Sequence, residues 1–164
     1  MTTTPEAERL RALLVRNFND VPLERQLRDP LYDSRCGGLS DGTAARKLGA
    51  AIDVVPPGKR SCPYHLHHAQ EEMFIVIEGE GTLRVAGEMV PIRAGDVIFI
   101  PPGKDYPHHI INTSEAPLKY LSISTKEKPE ICEYPDSGKV MAWAPGVDLL
   151  NRPGINVDYW DGEP

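Results

Sequence analysis

The sequence is short of cysteine, of long apolar runs and of clustered positive charge. Its three cysteines, Cys36, Cys62 and Cys132, are widely spaced and odd in number. They form no Cys-x-x-Cys pair and no even set from which a disulfide framework could be built, so a reducing, cytoplasmic setting is expected. No apolar stretch approaches the ~18–20 residues of a membrane span. The longest candidates, Met73–Ile77 and Val97–Ile100, have the length of strands. The N-terminal stretch carries Glu6, Glu8, Arg9, Arg11 and Arg16 and so lacks the unbroken apolar region of a secretory signal. Lysine and arginine number 18 against 24 acids, a formal charge of −6, with no basic stripe. Nucleic acid and anionic membrane are excluded as partners on that balance.

What the chain has in quantity is turn-forming residue. Fourteen glycines and 16 prolines in 164 residues exceed the ordinary share without reaching that of a disordered chain. Many short strands with tight corners are expected, in one domain over residues 1–164. Residues 5–18 are predicted to form a short helix. Thr4 is the N-cap, Pro5 takes the first turn, and Leu10, Leu13, Leu14 and Phe18 share one face. Residues 19–43 read as an irregular entry arm with one short strand. From 44 to 125 the pattern is strand-like: Leu48–Val55, Met73–Ile77, Thr82–Ala86, Met89–Arg93, Val97–Ile100, His108–Thr113 and Leu118–Ser124, separated by Gly- and Pro-rich turns. Strands at intervals of about 8–12 residues mark an antiparallel sandwich or barrel. The arm over 126–164 is expected to pack back on this core through Trp143, Tyr159 and Trp160.

The five histidines fall in two clusters, His65, His67 and His68, then His108 and His109. Side chains alternate along a strand, so His65 and His67 share a face while His68 points the other way. Two imidazoles on one face can chelate one metal ion. Glu72 can return a carboxylate to the same point, and His108 offers a third imidazole. Three nitrogens and a carboxylate suit Fe, Mn, Ni, Cu or Zn and make a poor cage for Ca or Mg. By parity His68 and His109 are expected to be exposed or to stand behind the ligands. Cys62 lies near the cluster on the opposite parity and receives no role.

These stretches resemble the two motifs of the cupin family. Gly58 to Gly79, GKRSCPYHLHHAQEEMFIVIEG, is similar to Gly-x5-His-x-His-x3,4-Glu-x6-Gly, with six residues where the family has five before His65. Gly95 to Asn112, GDVIFIPPGKDYPHHIIN, is similar to Gly-x5-Pro-x-Gly-x2-His-x3-Asn, with two extra residues between Gly103 and His108. The resemblance implies an all-β double-stranded β-helix, a jelly-roll barrel whose mouth binds one divalent transition metal. Carried over by position, its ligands are His65, His67, Glu72 and His108. Glu72 is preferred to Glu71 because it alone stands six residues before the glycine, and His108 to His109 because it stands the family distance before Asn112.

If Glu72 points inward, Phe74 and Val76 follow it, and from His108 so do Tyr106, Ile110 and Asn112. Met73, Ile75 and Ile77 then form an apolar outer face that needs cover from the arms or from a second subunit, and a homodimer is expected. Such sites in the family isomerise sugars or sugar phosphates, or oxygenate small substrates at iron. A metal-dependent enzyme on a small polar metabolite is therefore expected, isomerase-like ahead of dioxygenase-like, with Tyr106 as candidate acid–base residue. A cupin that binds a small ligand without turnover is the alternative. Lys59, Arg60 and Lys104 flank the motifs and read chiefly as solvated charges.

Overall fold

The computed structural model describes residues 3–154, 156, 158, 159, 161 and 162. Among the described residues one helix, α1 (Pro5–Leu14), precedes thirteen strands. It begins where the sequence places it, with the Thr4 hydroxyl accepting from the amide of Ala7. It ends four residues early, at the extended Val15, whose successor Arg16 turns back to donate to the Ala12 carbonyl. Its leucines stay exposed, Leu14 by 63%, so the helical face buries little within this chain.

The largest sheet has six strands. β1 (Glu24–Arg28), β2 (Tyr32–Gly38) and β3 (Leu48–Val55) run side by side, followed by β10 (Leu118–Thr125), β5 (Glu72–Glu78) and β8 (Val97–Ile100). All neighbours in it are antiparallel. A second group sets β6 (Glu80–Val85) between β7 (Glu88–Arg93) and β9 (His108–Ile111). A third orders β13 (Val147–Asn151), β12 (Lys139–Ala144), β11 (Glu130–Tyr134) and the two-residue β4 (Leu66–His67). The sequence reading is met closely between 48 and 125, where turns and alternation are clear.

The arms differ from their expected irregularity. Residues 24–38 extend the large sheet, and residues 130–151 form most of the third group. Trp143 lies in β12 beneath the ammonium of Lys128, 3.7 Å from its ring centre. Tyr159 is 83% exposed, and Trp160 lies outside the described residues.

The alternation on β5 holds. Phe74 and Val76 are buried while Met73, Ile75 and Ile77 are half-buried. With Val55, Leu83, Ile110 and Leu118, Phe74 and Val76 form the apolar core that fixes the inner faces of the sheets. Two motif residues outside the metal cluster act within this frame. Gly79 has φ +84°, and a Cβ there would stand 2.5 Å from the Pro117 carbonyl oxygen. Only glycine satisfies both demands. Asn112, fully buried, donates to the carbonyls of Val55 and Ala116 and accepts from the amide and hydroxyl of Ser114. It thereby ties β3, β9 and the turn into β10 together.

Candidate metal centre

His65 stands one residue before β4 and is bridged to His108, each amide donating to the other's carbonyl at 3.1 and 2.7 Å. His67 occupies β4 opposite Cys132 of β11. Glu72 opens β5, with Ser124 and Ile100 as its neighbours across the sheet. Three separate pairings therefore hold four side chains that the sequence spreads over 44 positions.

The four converge on one oxygen. Glu72 Oε2 lies 2.8 Å from His108 Nε2, 3.5 Å from His67 Nε2 and 3.8 Å from His65 Nε2. Donor atoms of His65, His67 and Glu72 lie within 4.8 Å of one another, a grouping that could hold a metal ion. The contact to His108 is short, yet both atoms are buried and left without a hydrogen-bond partner. Two orphaned atoms of this kind are costly unless something else satisfies them.

The other ring nitrogens explain which lone pairs are free. His65 Nδ1 donates to the Pro63 carbonyl at 2.9 Å and His108 Nδ1 to that of Tyr106 at 3.1 Å. His67 Nδ1 stands 3.3 Å from the carboxylate of Glu130. Carbonyl and carboxylate oxygens only accept, so each proton sits on Nδ1 and each Nε2 turns a bare lone pair toward Glu72. Metal-binding histidines are held in this way, with the far nitrogen fixed by an outer oxygen. The donor set fits a transition metal.

Glu130 is the residue that sequence reasoning missed. It is 1% exposed and also accepts from the amides of His68, Ala69 and Gln70, at 3.0, 3.1 and 2.9 Å. One carboxylate from β11 thus fixes the turn that carries the chain from His67 toward Glu72.

Other expected residues find different places. His68 pairs with Glu133 at 2.7 Å and takes no part in the cluster. His109 is not exposed; it is buried, edge-on to Tyr64 with ring centres 5.4 Å apart. Tyr106 does not point inward as expected. It precedes β9, so strand alternation does not reach it; its side chain is 46% exposed and absent from the cavity wall, and its carbonyl serves His108. Lys59 donates to the Pro30 carbonyl, Lys104 lies 3.4 Å from Glu133, and Arg60 stacks over Tyr32. Burial pushes the Cys62 thiol up to about 12, so it stays protonated.

Burial, reinforced by the neighbouring His108, lowers His65 to about 4, and burial beside Arg60 and Arg84 lowers His109 to about 4. Both stay neutral in the folded chain while the unfolded chain takes up protons from about pH 6.5 downward. Stability of the metal-free protein is therefore expected to fall as pH drops from about 6.5 to about 4. Thermal melts across that range check this; a flat profile contradicts it.

A cavity of about 260 Å³ opens on the cluster, lined by His65, Glu72, Phe74 and His108 and, further along, by Cys36, Asp53, Ser61 and Ser122. Gln26 and Ser61 also line an outer groove of about 470 Å³ that holds Arg25, Arg28 and Tyr32. Arg25 is engaged by Asp33 at 2.9 and 2.8 Å, and Arg28 donates to the Leu27 carbonyl.

Comparison with known proteins bears on this arrangement. The model of the cupin domain matches residues 51–124, a span that includes all four converging side chains. This chain belongs to the cupin superfamily. An uncharacterized protein of Methanocaldococcus jannaschii is 35% identical over 91 residues, 53% of this chain and 70% of that one. The oxalate-binding protein of Thermotoga maritima is 38% identical over 69 residues, 42% of this cupin and 54% of its own length. Among solved structures, the "Putative sugar phosphate isomerase" of Acidithiobacillus ferrooxidans superposes with a TM-score of 0.78 at 26% identity, covering 90% of this cupin and 99% of that chain. The fold is the double-stranded β-helix of these neighbours. No helix among the described residues is long and apolar enough to cross a membrane.

Proposed function

We propose that this cupin is a metal-dependent enzyme that isomerises a sugar or sugar phosphate, holding one divalent transition metal on His65, His67, Glu72 and His108. The observation that carries the reading is the turning of three Nε2 lone pairs onto one buried, partnerless carboxylate oxygen. A metal bound there would polarise a substrate carbonyl and ease removal of the adjacent proton. The chain's own part is to hold the imidazoles in one tautomer, to supply a carboxylate to the ion, and to enclose a small molecule beside it. The likeness to the "Putative sugar phosphate isomerase" along most of both chains supports the substrate class, and Arg28 in the outer groove, which shares Gln26 and Ser61 with the cavity, supports a phosphorylated end. The likeness to an oxalate-binding protein supports a second reading, binding without turnover.

The test is to load the protein separately with Mn, Fe, Ni and Zn and to follow aldose and ketose phosphates by NMR. Interconversion that stops with EDTA is expected. Tight oxalate binding with no turnover in any metal form would favour the binding reading, and oxygen uptake by the iron form a dioxygenase. The homodimer belongs to the same proposal, supported by Val97 and Phe99 standing exposed on β8, an edge of the large sheet. Sedimentation is expected to give twice the 18.2 kDa chain mass; the monomer mass at micromolar concentration would remove it.

A further inference from the structure

The cavity is polar at both ends, and only one end is the metal cluster. Asp53 on β3 lies level with Tyr120 of β10 and, through it, with Val76 of β5. It is therefore two strands over from Glu72 and four residues along, roughly 13 Å of strand. That is too far for a ligand to the same ion, yet Asp53 and Glu72 line one enclosed space.

Asp53 is 7% exposed. The Ser122 hydroxyl donates to its Oδ2 at 3.0 Å, and Cys36 faces it across the β2–β3 register. Ser61 and Tyr120 exchange a hydrogen bond of 2.6 Å on the same wall. No lysine or arginine is among the described residues that line the cavity. A buried acid without a cation costs stability, which a purely structural role does not require. Burial accordingly holds its carboxyl above the usual range.

We propose that Asp53 is a specificity residue that accepts hydrogen bonds from hydroxyl groups at the end of the ligand remote from the metal, so that the cavity selects a polyhydroxy molecule over a dicarboxylate. The inference rests on the sugar-type reading of the site and adds a direction to it. The carbonyl end lies at His65 and Glu72, and hydroxyl-bearing carbons reach Asp53, with Phe74 and Ile110 presenting apolar surface between them. Hydroxyls donate to a carboxylate, whereas a second carboxylate placed there meets like charge with no counterion. The acid thus discriminates by attraction toward one class and repulsion of the other.

The test is calorimetric titration of zinc-loaded protein with D-fructose, D-ribose, oxalate and adipate, a dicarboxylate of hexose length, in wild type and Asp53→Asn. Asparagine keeps the shape and an oxygen for Ser122, but replaces one acceptor by a donor and removes the charge. Sugar affinity is expected to fall about tenfold, oxalate affinity to hold, adipate affinity to rise, and zinc content to stay unchanged. Asp53→Ser, which makes room instead of strain, is expected to give the same pattern. Sugar and oxalate affinities falling together, or sugar affinity unchanged, would overturn the proposal. If wild type still interconverts sugar phosphates while Asp53→Asn binds sugars equally, this inference fails and the isomerase reading stands. If wild type binds oxalate and no sugar, both fail.

Discussion

Replacing His67 by alanine is expected to strip the protein of nearly all bound metal, while His68→Ala, one position on, leaves it loaded. His67 Nε2 points at Glu72 Oε2, and its Nδ1 proton is directed at Glu130. His68 points instead to Glu133. Loss of an outer partner alone costs roughly 10–100-fold in metal affinity, so loss of a chelating imidazole is expected to cost at least two orders of magnitude. Elemental analysis after dialysis reads both variants directly. Equal metal content in the two would mean that the alternation placing His65 and His67 on one face does not govern binding.

Glu130→Ala is expected to damage the site and the fold together, although Glu130 is not among the four converging side chains. Four groups lose their acceptor at once: three successive amides, His68 to Gln70, and the His67 Nδ1 proton. Each buried donor left unmet costs about 1–3 kcal/mol, so a loss of about 3 kcal/mol or more is expected in denaturant unfolding. Metal affinity is expected to drop by a further factor of about 10–100, because nothing then fixes the His67 ring. Glu130→Gln separates the two effects. It retains one acceptor oxygen and much of the stability but places an amide N–H where a donor already stands, and metal affinity falls all the same. A Gln variant with wild-type metal affinity would show that Glu130 supports the turn alone.

The four converging side chains were legible in the sequence because their signal is local: His-x-His, a carboxylate at a set interval, and turns of glycine and proline that delimit the strands. Glu130 had no such signal. In β11 the usual polarity is reversed, with Glu130 and Cys132 buried and Ile131 42% exposed. A pattern reading of Glu-Ile-Cys-Glu-Tyr places isoleucine inside and glutamate out. β1 was hidden for another reason, since Glu24–Arg28 is exposed throughout and shows no alternation. Its strand exists because it pairs with β2 along five residues. β4 is two residues long, too short for any period. Tyr106 was misread because alternation was carried past the start of β9 into a loop, where it does not apply.

The pairing of β4 with β11 also sets an order of events during synthesis. His65, His67, Glu72 and His108 have all been translated by residue 108, yet Glu130 and the strand that braces His67 come more than twenty positions later. A nascent chain halted at residue 125 would hold all four converging side chains and not the brace that orients one of them. A metal held on these four side chains would meet the fully braced set only after that later segment has joined the sheet. The timing of that competence would then rest on residues outside the donor set.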